Sequence, residues 1–180
     1  MSDASNEPTA DRIDNRRAII DLTLRMAEHV DQLQWDDLRS CFADDLTVSH
    51  SYVLDNGATE ISAEEFINGW QRALSGFSAT QHMITNHRVN VKGDIAMCSS
   101  YFQTQHVYPD DCGTNRWTLG GHYDFEFVRN GNEEGWRISE LIMTGLWADG
   151  NRYILELAAE RATDNRGPLN LSAHAQESTE

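Results

Sequence analysis

Four long segments of alternating polar and apolar side chains fill the second half of this 180-residue chain, and they constrain its fold more than any other feature. They run over residues 82–92, 95–108, 116–129 and 136–147, separated by Gly93-Asp94 and by loops at 109–115 and 130–135. A period of two marks a strand with one buried face, and short connections make consecutive strands antiparallel. At 11 to 14 residues each, the segments are about twice the usual strand length. A meander of such strands must twist and curve strongly. The Gly120-Gly121 pair has no phosphate-loop context and is expected to be a bend or bulge within the third segment.

The first half reads as helical. Ile20, Leu24 and Ala27 repeat at helical spacing within residues 11–34, residues 35–42 suggest a short second helix, and 46–54 a strand broken by the turn dipeptide Asn56-Gly57. Ser62-Ala-Glu-Glu65 is a capping box that opens a helix through Phe66, Trp70 and Leu74, closed by Gly76. Residues 151–162 are expected to form a last helix. Helices packed on the concave side of a curved sheet enclose a pocket, so this order predicts an α+β half-barrel rather than a parallel doubly wound fold. One domain over residues 11–162 is expected, between polar tails at 1–10 and 163–180.

Charge removes several classes of partner. With 14 basic against 29 acidic residues and a formal net charge of -15, the chain is unsuited to nucleic acid or to anionic membranes. No apolar run approaches a membrane span, and the acidic N-terminus does not resemble a signal peptide. Cys41, Cys98 and Cys112 form no CxxC pair and leave an odd thiol under any pairing, which points to a reducing, cytoplasmic setting. No HExxH, CxxC or close His-x-His pattern supports a metal, and no nucleophile elbow is present.

One charge is out of place. Continuing the row Ile20, Leu24, Ala27 by a turn lands on Asp31, and an inward carboxylate is costly without a partner. The strands offer histidines. His82 opens the first long segment and His106 lies near the end of the second, so pairing through the Gly93-Asp94 turn brings the two to neighbouring positions. Ala96, Cys98, Ser100 and Thr104 share a face with His106 and would leave room on a concave surface. His122 and Asp124 share one face of the third strand, Tyr123, Phe125 and Phe127 the other, and alternation alone leaves open which is interior. A histidine in a strand is often only a packing residue, but an inward Asp and a His within reach explain one another and form a general base.

The stretch Val30-Asp31-Gln-Leu-Gln-Trp35-Asp-Asp-Leu38, Phe42-Ala-Asp-Asp45, Thr80-Gln-His82-Met83, Gly93-Asp94, Gly135-Trp136-Arg137-Ile138 and Leu146-Trp147-Ala-Asp-Gly150 together resemble the SnoaL-like branch of the nuclear transport factor 2-like superfamily. The resemblance covers residues 12–160 and is nearest in pattern to scytalone dehydratase and the bile-acid 7α-dehydratases. It implies a cone-shaped α+β barrel with Asp31 as the helix aspartate, His82 as the catalytic histidine and His106 as the second histidine. Where scytalone dehydratase has substrate-polarising tyrosines this chain has Val30 and His50, with Tyr52 nearby, and its strand Ser and Asn become His122 and Asp124.

The expected activity is a cofactor-independent elimination or isomerisation of a small cyclic or aromatic compound. Asp31 would orient His82 to remove a proton, and His106 would act as acid or as a hydrogen-bond partner of the oxyanion. His50, Tyr52, Asn86, Tyr101, Trp117 at the pocket mouth, and His122 are the expected substrate-binding residues. Two alternatives stay open, a retro-aldol lyase that releases formaldehyde and a non-catalytic small-subunit module. The long strands leave an outer face suited to a homodimer or homotrimer.

Overall fold

A computed structural model describes residues 9–50, 54–109, 114–129 and 135–164. Helices α1 (Thr9–Asp31) and α2 (Trp35–Ser40) lead into β1 (Phe42–His50) and β2 (Leu54–Ser62). Helix α3 (Ala63–Leu74) is followed by β3 (Ala79–Lys92), β4 (Ile95–Val107), β5 (Arg116–Val128), β6 (Arg137–Gly150) and α4 (Ile154–Thr163). The strands form one curved six-stranded sheet in the order β2-β1-β6-β5-β4-β3, antiparallel except where β1 runs parallel to β6. This is the α+β architecture the strand meander implies.

Burial alternates along the strands and defines the inner face. On β4 it carries Ala96, Cys98, Ser100, Phe102, Thr104 and His106, and on β5 Trp117, Leu119, Tyr123, Phe125 and Phe127. Against it lie Ile19, Leu22, Met26, Ala27 and Val30 of α1. A second cluster of Phe77, Tyr108, Trp117, Ile154 and Ala158 seats α4. The Ser62 side chain accepts the Glu65 backbone N–H at 3.2 Å and caps α3, a contact worth about 1 kcal/mol.

Several sequence expectations shift. The buried stripe of α1 is Ile19, Leu22, Thr23, Met26, Ala27 and Val30, while Leu24 is exposed; Asp31, one turn after Ala27, continues the stripe at the end of the helix. The single strand expected at 46–54 is two, β1 and β2, and Asn56-Gly57 lies inside β2. Gly76 does not end α3 by a left-handed turn; a Cβ there would meet the Ala158 carbonyl oxygen at 1.9 Å, so it admits α4. Gly120 and Gly121 do sit at a register shift between β5 and β6, and the Trp147 indole lies where a Gly120 side chain would go.

The decisive irregularity is in β3. Its register with β4 shifts between Thr85 and Arg88, where Asn86 adopts a left-handed φ of 59°. An extra residue in a period-two strand exchanges its faces. Thr80, His82 and Ile84 therefore face inward before the bulge, and His87, Val89 and Val91 after it. His87 Nε2–H is then given to Thr23 Oγ1 at 2.9 Å, because the Thr23 hydroxyl itself donates to the Ile20 carbonyl at 2.7 Å. The bulge is thus tied to α1.

Candidate active site

Asp31 is the last residue of α1, where the negative end of the helix dipole disfavours a carboxylate. Three donors compensate. Its Oδ1 accepts His82 Nδ1–H at 2.7 Å and the Thr80 hydroxyl at 2.8 Å, and its Oδ2 accepts the His82 backbone N–H at 2.7 Å. Burial alone would raise the Asp31 carboxyl, but the His82 side chain and backbone and the Thr80 hydroxyl outweigh it and hold the carboxyl below its ordinary range. A carboxylate can only accept, so His82 carries its proton on Nδ1 and leaves the lone pair on Nε2. The His82 side chain is 9% exposed.

His106 stands beside this pair, its ring centroid 6.2 Å from that of His82 at 78°. In register, His82 lies opposite Thr104 and His106 opposite Thr80, so the two histidines are diagonal neighbours on one face, as the pairing through the Gly93-Asp94 turn leads one to expect. Burial, and then the neighbouring His82, push the His106 imidazole down to about 4. It is neutral near pH 7, and Nδ1–H is directed at the Trp117 carbonyl oxygen at 3.4 Å. Its Nε2 therefore offers a lone pair. This corrects the expectation of His106 as an acid, since a buried neutral imidazole with its one proton committed elsewhere accepts at that atom.

The expected binding residues divide. Asn86, Tyr101 and His122 do come together, but on the outer face of the sheet, in a groove of about 480 Å³ shared with Arg88, Ser99 and Asp124. They do not reach the Asp31–His82 pair, because on β4 and β5 they occupy the registers opposite to the inner face. His122 instead faces Asp124 at 3.7 Å. Trp117 is buried in the α4 cluster rather than at a mouth, and contributes its carbonyl. His50 ends β1, paired with Met143 across β6, and its side chain, like all of Tyr52, lies outside the described residues.

Thr80, whose hydroxyl holds Asp31, stands in the sequence only as part of a motif, and Tyr123 lies on the strand whose interior face alternation leaves open. The missed signal on β5 was composition: Leu119, Tyr123, Phe125 and Phe127 are apolar or aromatic, whereas Thr118, His122, Asp124 and Glu126 are polar. Tyr123 is buried, its ring stacked 4.3 Å from Phe102, and burial pushes its phenol up. Ser100 Oγ is buried on the same face with no hydrogen-bond partner among the described residues. No three His, Cys, Asp or Glu side chains among the described residues converge as metal ligands, and no described helix is long and apolar enough to cross a membrane.

A curved, mostly antiparallel sheet with helices packed against it is the cone fold of the nuclear transport factor 2-like superfamily. Residues 11–142 match the SnoaL-like domain model, and the chain belongs to that family. No curated protein matches it significantly. Among solved structures it is similar to the Kfla4162 protein from Kribbella flavida, at 28% identity and a TM-score of 0.73 over 85% of this chain and 99% of that one. A putative aromatic ring hydroxylase from Novosphingobium aromaticivorans matches at 27% identity and 0.67, over 81% and 97%. A putative scytalone dehydratase from the same organism shares the fold at 18% identity and 0.70, over 81% and 93%.

Proposed function

We propose that this protein is a cofactor-independent lyase carrying out a dehydratase-like elimination on a small cyclic or aromatic compound, with His82 as general base. The observation that carries the reading is the 2.7 Å bond from His82 Nδ1 to Asp31, whose other contacts leave that carboxylate no freedom to turn away. Nε2 of His82 removes a proton from a carbon next to a carbonyl or aromatic ring, and Asp31 stabilises the imidazolium formed. The imidazolium then gives that proton to the departing hydroxide, releasing water. His106 Nε2 accepts a hydrogen bond from a substrate hydroxyl. Return of the proton to another carbon would make the same site an isomerase.

His82→Ala is expected to lower kcat by about 10²- to 10⁴-fold, the usual worth of a general base, with Asp31→Asn close behind and the fold retained. Wild-type turnover in both variants would sink the reading. Product analysis separates elimination, which conserves the carbon count, from a retro-aldol step, which lowers it by one. A non-catalytic module remains the rival, favoured by the bulk of buried Phe102 and Trp117 and opposed by the Asp31–His82 bond. We further propose a homo-oligomer joined through the outer sheet face, where Met83, Met97, Tyr101 and Trp147 are exposed, and a reducing compartment, in keeping with free Cys41 and Cys98.

A further inference from the structure

Arg25 on α1 and Arg137 at the start of β6 line one cavity of about 330 Å³, in a chain with only 14 basic residues against 29 acidic ones. Arg25 gives its Nε–H to Asp21 at 3.1 Å, one turn back along the helix, which leaves both of its NH2 groups to donate. Arg137 is half-buried and, among the described residues, pairs with no carboxylate. Its Nη1 donates to the carbonyl of its own neighbour Trp136 at 3.1 Å, and its other N–H groups remain. A half-buried cation without a counter-charge is costly, and an anion that enters the cavity removes that cost.

The walls leave that guanidinium open. Gly135 adopts a φ of 106° and has no side chain, and a Cβ there would stand 3.6 Å from Arg137 Nη1. The Ser40 hydroxyl donates to the Asp37 carbonyl at 2.6 Å, so it has no hydrogen for a guest. Ala18, Leu22 and Trp136 add apolar wall. We propose that this cavity binds a small organic monocarboxylate, whose oxygens take the free N–H groups of Arg137 while Arg25 supplies a second positive charge. Charge sets the class: two guanidiniums against Asp21 leave one positive charge to balance, whereas a phosphate dianion would also meet the Asp21 carboxylate. A volume near 330 Å³ is at the small end for ligand sites and suits a short carbon chain. Arg25 precedes Asp31 by six residues on α1, about 9 Å along the axis, and the site does not depend on the elimination reading.

The probes are butyrate and its uncharged amide, butyramide, titrated calorimetrically into the full chain near neutral pH. Butyrate is expected to bind saturably and butyramide not to bind. Arg137→Gln should weaken butyrate by about tenfold or more, the usual worth of a hydrogen bond to a charged group. Asp21→Asn should tighten butyrate and let inorganic phosphate bind as well, a gain that no folding defect produces. His82→Ala should bind butyrate as the wild type does, which separates this cavity from the Asp31–His82 pair. No saturable binding of butyrate by the wild type, equal binding by wild type and Arg137→Gln, weaker binding in Asp21→Asn, or loss of binding in His82→Ala overturns the proposal. Wild-type protein that binds phosphate or butyramide as tightly as butyrate overturns the monocarboxylate class.

Discussion

At the scale of the residue, the arrangement turns on two histidines in different electrical surroundings. His82 has a carboxylate on Nδ1, whereas His106 has only a carbonyl, an aromatic neighbour in Phe77 and the other imidazole. Neutral His106 has a direct consequence for acid stability. Its imidazole is lowered from 6.5 to about 4 in the folded chain, so between those values the unfolded chain binds the proton and the folded one does not. That contribution is complete above pH 6.5 and is lost as pH falls towards 4, by about 3 kcal/mol in all. Urea unfolding at pH 7 and pH 4.5 should show the drop, and His106→Gln should flatten it. The Asp31 contribution, from a lowered carboxyl, is lost only below the ordinary carboxylate range. The need for a partner to Asp31 was legible in the sequence, and so was His82. The proton on His106 was not, because it depends on a backbone carbonyl of another strand.

At the scale of the element, β3 carries the argument. Without its bulge, the residues that pack Val89 and Val91 inward would send His82 outward, since both lie on odd positions and His82 on an even one. Asn86 tolerates the left-handed conformation that the bulge needs, and a β-branched side chain does not. Asn86→Gly should therefore leave stability and turnover nearly unchanged, while Asn86→Val should cost roughly 1–3 kcal/mol and lower turnover together, as seen by thermal melts and rates. Asn86 was singled out from the sequence for the wrong reason: it turns the base inward from a distance and does not line the same cavity. Gly76 makes a similar point on a helix. Gly76→Ala should destabilise by about 1–3 kcal/mol, because the added methyl meets the backbone of α4 and no side chain can yield.

At the scale of the whole molecule, the sheet has an inner face with the dyad and an outer face with a second character. Outside, exposed Met97 and Tyr101 lie near the groove of Asn86, Arg88 and His122, and Trp147 fills the space over Gly120. Light scattering is expected to give two or three times the chain mass, and Met97→Glu with Tyr101→Glu to shift it towards the monomer without abolishing the fold; a monomeric wild-type protein would contradict this. The class of fold, the long curved meander, the capping box of α3 and the need of Asp31 for an inward partner were legible in the sequence alone, and the family resemblance pointed to His82 as that partner. They depend on periodicity, composition and a local motif, which a chain displays before it folds. What only the tertiary structure decided is which face of β5 is interior, the diagonal placing of His82 and His106, and the Trp117 carbonyl that His106 Nδ1 meets. Each follows from a single inserted residue in β3 or from contacts between strands far apart in sequence, and a one-residue shift in a period-two strand reverses every side chain beyond it.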